Sequence, residues 1–236
     1  MTERLFLEDA YQRVFEAAVI AVRDDRVALS RTAFYPGGGG QPADQGWLSV
    51  GGRRLTVTDV RAEGEVWHLV DGDVASGAEV RGELDWPRRY ALMRAHALMH
   101  VVNTVARERH DGWITGVQLG VERSRIDLRL DGFSRALLPA LEDAVNAVLA
   151  AGLAIGSTSV SEEEFRRRPE LVRTLEVTPP VVDGRVRVVE IAGFDAQACG
   201  GTHPHSTSEV GVARIVRFDN KGRDNKRIYW ELEPAR

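Results

Sequence analysis

Apolar residues fall into two rhythms along this chain, and the change of rhythm divides it. Up to about residue 84 they gather in short runs broken by Gly and Asp. EAAVIAVR and RVALSRTAF flank Asp24 and Asp25, WLSV and RLTVTDV flank Gly51 and Gly52, and EVWHLV precedes Asp71 and Gly72. Short runs with turn residues between them predict β-strands closing into a small barrel. Inside this region lies FYPGGGGQPADQG, residues 34 to 46, too rich in Gly and Pro to be strand or helix.

The rhythm changes at Asp85-Trp86-Pro87. Asp85 suits a helix cap and Pro87 a first turn, and the helix they open runs through Ala91, Leu92, Met93, Ala95, Leu98, Met99, Val101, Val102 and Val105. Apolar residues on all its sides predict burial. WITGVQLGVE and RIDLRL then read as a hairpin, and PALEDAVNAVLAAG as an amphipathic helix stopped by Gly152. AIGSTSV reads as a strand, Ser161 with Glu164 as a capping box opening a short helix that Pro169 ends, and RVRVVEI, EVGVARIVRF and RIYWELE as strands. Helices interleaved with hairpins predict an α+β fold: a small N-terminal β-barrel over residues 1–86, then an α/β two-layer domain over 87–236.

Composition narrows the function classes. The 236 residues are 28% charged with a formal net charge of −4, which argues against indiscriminate binding to nucleic acid and against DNA as a partner. The start, MTERLFLEDAYQ, has no apolar core of an export signal, and no run approaches the ~18 apolar residues of a membrane span, so no membrane partner and a cytoplasmic location are expected. The one cysteine, Cys199, forms no internal disulfide and is a buried apolar residue, a nucleophile or a metal ligand.

Two pairs of side chains suggest which. His96 and His100 stand at i, i+4 on the first helix, and Cys199 and His203 have the same spacing in a glycine-bearing loop. Three imidazoles and one thiolate suit tetrahedral Zn²⁺ and disfavour Mg²⁺ or Ca²⁺. Spacing alone leaves open whether the pairs meet in space, and a lone HxxxH arises often by chance. His205, two residues past His203, competes for the same role, but the i, i+4 match to Cys199 favours His203. His68 reads as structural in its strand, His110 as a cation at a helix end facing the negative dipole, and Arg166 to Arg168 as an exposed helix face.

Four motifs in order carry a resemblance: FYPGGGGQPADQG, RRYALMRAHALMH, IAGFDAQACGGTH followed by SEVG, and NKGRDNKRI. Together, from about residue 30 to 233, they closely resemble the alanyl-tRNA editing family, which comprises the editing domain of alanyl-tRNA synthetases and the free-standing deacylases called AlaX. The resemblance implies one Zn²⁺ per chain held by His96, His100, Cys199 and His203. It implies hydrolysis, in trans, of the aminoacyl ester of mischarged alanine tRNA, carrying serine or also glycine. The need for such an enzyme is physical, because a pocket built for alanine rejects one added hydroxyl only ~10²-fold. Zinc would polarise the ester carbonyl, activate a water or hold the substrate's amino group. Four protein ligands close a tetrahedral site, so one is expected to yield to substrate, and His203, last in the loop, is the candidate.

The resemblance extends to other positions. Thr115 lies near the family's hydroxyl that senses serine, with Gln118 similarly placed, although an ordinary hairpin threonine fits as well. The glycine loop, through Gly38, Gly39, Gly40 and Gln41, is expected to contact tRNA, as is the basic run of Lys221, Arg223, Lys226 and Arg227. Asn225 departs from the glycine common in the family there. No P-loop or other nucleotide-binding motif is visible, which leaves hydrolysis rather than aminoacylation. The rival readings are a non-catalytic tRNA-binding module with a structural zinc and a zinc hydrolase of a small-molecule ester or amide.

Overall fold

The structure is a computed structural model that describes residues 1–172, 181–182, 184–222 and 225–233. Its contacts separate two units, Met1–Leu92 and Met93–Arg236.

The first unit contains β1 (Glu3–Arg4), β2 (Val14–Arg23), β3 (Arg26–Leu29), β4 (Arg31–Thr32), β5 (Gly46–Val50), β6 (Arg53–Glu63), β7 (Glu65–Val70) and β8 (Glu79–Leu84). Six of them close a barrel in the order β2-β3-β7-β6-β5-β8, every pair antiparallel. The period-2 pattern explains which residues enter it: Phe15, Ala17 and Val19 of β2 alternate inward, as do Val66, His68 and Val70 of β7. Register breaks in β2 between Val19 and Ala21 and in β6 between Val57 and Asp59 supply the bends that closure requires. The Phe15 ring lies across Gly82, its cross-strand partner, where an added Cβ would stand 2.4 Å from the ring.

His68 is wholly buried in this barrel, as a structural residue. Its Nδ1 lies 3.1 Å from the Val27 carbonyl and its Nε2 2.8 Å from Thr32 Oγ1, a pairing that suits the neutral ring with Nδ1 protonated. Burial accordingly pushes its pKa down to about 4.

The loop of residues 34 to 46 is pinned rather than loose. Asp44 Oδ2 accepts from the Tyr35 amide at 2.6 Å, and the Arg89 guanidinium grips both carboxylate oxygens while donating to the Ala10 and Ala33 carbonyls. Gly38 and Gln41 exchange backbone hydrogen bonds at 3.0 and 2.9 Å, and the Tyr35 hydroxyl donates to the Gly38 carbonyl. All four glycines from Gly37 to Gly40 have positive φ, 78°, 126°, 58° and 84°, which explains why no side chain interrupts the run.

The long helix α1 (Trp86–His110) begins as expected, with Asp85 Oδ1 accepting from the Arg88 amide at 3.2 Å. Its last residue is His110, at the helix end as expected, with its ring edge-on against Phe133; burial, helped by Arg109, lowers its pKa.

The second unit continues with β9 (Trp113–Gln118), β10 (Arg123–Arg129), α2 (Leu138–Ala150), β11 (Ile155–Ser161), α3 (Glu162–Arg166), β12 (Val181–Val182), β13 (Arg185–Ile191), β14 (Asp195–Ala198), β15 (Ala213–Asn220) and β16 (Lys226–Leu232). One sheet runs β15-β16-β10-β9, and a second runs β11-β13-β12 with β14 also on β13. The chain is thus α+β, with a barrel in the first unit and sheets with helices in the second. The Ser161 hydroxyl caps α3 by accepting from the Glu164 amide. One segment differs from expectation: the predicted strand EVGVARIVRF starts only at Ala213, because Ser206 and Glu209 form a capping box that winds Thr207–Val210 into a 3-10 turn. The edge strand β15 has its backbone satisfied from α2. Asn146 bonds both the amide and the carbonyl of Ala213, and Glu142 accepts from the Ile215 amide at 2.6 Å. Among the described residues, no helix is long and apolar enough to cross a membrane.

Candidate metal centre

Two elements of the second unit bring the predicted ligands together. The i, i+4 spacing on α1 stacks His96 over His100, with ring centroids 5.1 Å apart. The hairpin of β13 and β14 delivers Cys199 just past its end, where the Cys199 amide still donates to the Arg187 carbonyl at 3.0 Å. Arg187 then holds the turn, its Nη1 donating to the carbonyls of Cys199 and Gly201 at 3.0 and 2.8 Å. The turn brings the Gly201 amide to 3.4 Å from Cys199 Sγ and carries the chain back to His203. Arg94, a buried arginine of α1, donates to the carbonyls of Glu209, Val210 and Glu233, so the helix and the segment after the loop are tied by charge-assisted hydrogen bonds.

The donor atoms of His96, His100, Cys199 and His203 all lie within 4.8 Å of one another. Cys199 Sγ stands 3.5 Å from His96 Nε2 and 3.4 Å from His203 Nε2. A tetrahedral zinc with Zn–N of about 2.05 Å and Zn–S of about 2.3 Å needs an S···N edge of about 3.5 Å, and these two contacts match that edge. The three histidines are buried.

Electrostatics favours the ligand forms of two members. Burial opposes ionisation of Cys199, yet the His96 ring and the hydrogen bonds offered by His100 and His203 prevail and hold its thiol well below the ordinary value. Burial, reinforced by His96, drives His203 well below the usual imidazole range, so it is a neutral donor. His100 differs. Burial disfavours its charged form, but the Asp195 carboxylate and the Cys199 sulfur outweigh burial and push its pKa up to about 9. A metal entering here displaces that proton.

His205 is exposed, so His203 is the loop histidine at the cluster. Thr115 is the unopposed residue at a bulge, between Ile114 opposite Leu128 and Gly116 opposite Asp127, and its Oγ1 is buried with no hydrogen-bond partner. Gln118, at the end of β9, is exposed and accepts from Arg125 Nε at 2.9 Å. In the glycine loop Gly38 and Gly39 are exposed, Gly40 is half-buried and Gln41 is buried. The basic run divides: Lys221 is exposed, whereas Lys226 Nζ donates to Asn220 Oδ1 and the Gly222 carbonyl, and Arg227 forms a two-pronged ion pair with Asp127 at 2.6 and 2.8 Å. Arg223 lies outside the described residues. Asp195 and Arg187 escaped the sequence reading. Nothing in a single sequence marks a strand arginine as a loop clamp, and Asp195 stands four residues before Cys199 without a spacing that ties it to His100.

Comparison with known proteins gives the family. The model of the family described as "Threonyl and Alanyl tRNA synthetase second additional domain" matches residues 186–229, and that described as "tRNA synthetases class II (A)" matches residues 5–88. The chain is 38% identical to the "Alanyl-tRNA editing protein AlaX-M" of Methanosarcina barkeri, covering 98% of this chain and 99% of the relative. It is 34% identical to the protein of the same name from Saccharolobus solfataricus, covering 99% of this chain and 100% of the relative. The chain belongs to the alanyl-tRNA editing protein family. As a member it is an enzyme, an aminoacyl-tRNA deacylase. An "Alanine--tRNA ligase" from Pyrobaculum neutrophilum is 38% identical over 92% of this chain, which there spans 25% of the ligase. The editing family's ordered motifs thus lie on the barrel loop, on α1, on the turn after β14 and on the β15 to β16 turn.

Proposed function

We propose that this AlaX-M family chain hydrolyses the aminoacyl ester of mischarged alanine tRNA in trans, with serine and also glycine as the amino acids removed. One Zn²⁺ per chain would be held by His96, His100, Cys199 and His203. The observation that carries the reading is the convergence of these four donors within 4.8 Å, in a chain matching AlaX-M relatives over nearly their whole length. A bound zinc would supply Lewis acidity, drawing electron density from the ester carbonyl.

The chain's own groups would do the sorting. A serine hydroxyl reaching Thr115 Oγ1 gives a partner to a buried group that has none, whereas alanine leaves it unmade at a cost of about 1–3 kcal/mol, or about 5–150-fold in rate. Glycine gains nothing from Thr115 and enters on size. Gln118, exposed at the end of the same strand, would border the approach of substrate. His203 is the ligand we expect to yield to substrate, and its support is that Nδ1 is buried without a hydrogen-bond partner, so nothing outside the cluster fixes the ring. For tRNA, the exposed Gly38 and Gly39 with Gly40 offer backbone close to the surface, and Lys221 and Arg223 offer charge. Gln41, Lys226 and Arg227 would serve by shaping these turns, given their burial and internal bonds.

Deacylation of alanine tRNA charged with serine, glycine or alanine, with and without a chelator, tests the reading. The expected result is rapid loss of serine, slower loss of glycine, little loss of alanine and a halt on chelation; equal turnover of serine and alanine sinks the specificity claim.

A further inference from the structure

The three histidines of the cluster are not held alike. His96 and His203 both present Nε2 to Cys199 Sγ. His100 Nδ1 faces the other way: Asp195 Oδ2 lies 3.6 Å from it, both side chains are buried, and no hydrogen bond yet satisfies that nitrogen. Asp195 is itself fixed. It is the first residue of β14, paired with Ile191 across the hairpin, and Gln197 Nε2 donates to Oδ2 at 2.5 Å.

We infer that Asp195 is a positioning residue that sets the tautomer and orientation of His100, and that this deepens the zinc reading on which it rests. An imidazole donates a lone pair only from the nitrogen that lacks the proton. A carboxylate facing Nδ1 keeps the proton there and leaves Nε2 to the cluster, the same nitrogen that His96 and His203 offer. The 3.6 Å separation exceeds a full hydrogen bond by about half an ångström, a distance that a small rotation of the ring closes. The side chain of Asp195 is 0% exposed, so water does not compete for it. The cluster is therefore asymmetric: His100 is anchored from outside, and His203, with Nδ1 unpartnered, is not. The competing role for Asp195 is purely local, closing the hairpin through Gln197, and it predicts no effect on the metal.

The test is zinc affinity, measured by competition with a chromophoric chelator, for the wild-type chain and for Asp195→Asn and Asp195→Ala. Nitrogen-15 NMR of the histidine rings in the zinc-loaded proteins, where His100 has given up one proton, reports which nitrogen keeps the other. We expect wild-type protein to bind one zinc with His100 protonated at Nδ1. Both variants should bind about 10–100-fold more weakly, with His100 distributed over both tautomers. Zinc binding within twofold of wild type in the variants, or a His100 protonated at Nε2 in the wild type, overturns the inference while leaving the zinc reading intact. A wild-type chain that takes up no zinc overturns both. Should Asp195→Ala fail to fold, the isosteric Asp195→Asn gives the same readings.

Discussion

The ion pair of Arg89 and Asp44 underpins the glycine loop, and its removal has a calculable consequence. Arg89 is 0% exposed and Asp44 1%. The guanidinium donates to both carboxylate oxygens and to two backbone carbonyls, and the same carboxylate accepts from the Tyr35 amide. Asp44→Ala leaves a buried guanidinium with no counter-charge, a defect costing about 3–5 kcal/mol, and leaves the Tyr35 amide unbonded at about 1 kcal/mol more. Arg89→Met leaves a buried carboxylate without its counter-charge, so about 3–5 kcal/mol is expected. The double variant Asp44→Leu with Arg89→Met strands no charge, and its cost should not exceed that of Asp44→Ala alone. Urea unfolding followed by circular dichroism measures all three, and the coupling between the sites should be at least about 3 kcal/mol. Single variants costing under about 1 kcal/mol, or costs that add, would refute the account of the pair as the loop's anchor.

Four further outcomes are expected. His68, whose folded pKa of about 4 lies below its unfolded value of about 6.5, stays neutral while the unfolded chain gains a proton. Its contribution to stability is thus complete above pH 6.5 and falls as pH drops toward 4, by about 3 kcal/mol, and a His68→Met chain whose stability follows the same pH curve as wild type would contradict this. Thr115→Val should slow removal of serine about 5–150-fold while leaving glycine removal little changed, measured as kcat/KM on each ester; equal losses would point to a fold defect. Arg187→Met should release the turn after Cys199 and weaken zinc binding, with the secondary structure retained by circular dichroism. Lys221→Glu should raise KM for tRNA and steepen with falling salt, whereas Arg227→Met should instead lower stability through the abandoned Asp127.

Much of the site was legible because its signals are local. An i, i+4 pair on a helix meets by helix geometry alone, so His96 and His100 needed no tertiary knowledge. Cys199 and His203 share a short loop, and two glycines beside the cysteine mark its turn. The choice of His203 over His205 also followed from spacing, and the structure buries the first and exposes the second. The short runs between Gly and Asp turns likewise announced the barrel, because strand periodicity and turn chemistry act over a few residues. The strand β8 that completes it is polar at every second position and was not singled out.

Long-range partnerships are a different matter. The sequence by itself determined which elements form, the residue types able to hold zinc and the family to which the chain belongs. Only tertiary structure decided that two donor pairs a hundred positions apart converge, that Asp195 faces His100 and that Arg187 clamps the cysteine turn. It also spent Lys226 and Arg227 on internal partners where charge alone suggested a phosphate surface. The physical reason is range: helix caps, turns and periodicity are set by neighbours along the chain, whereas the fate of a charge depends on what burial and packing bring beside it.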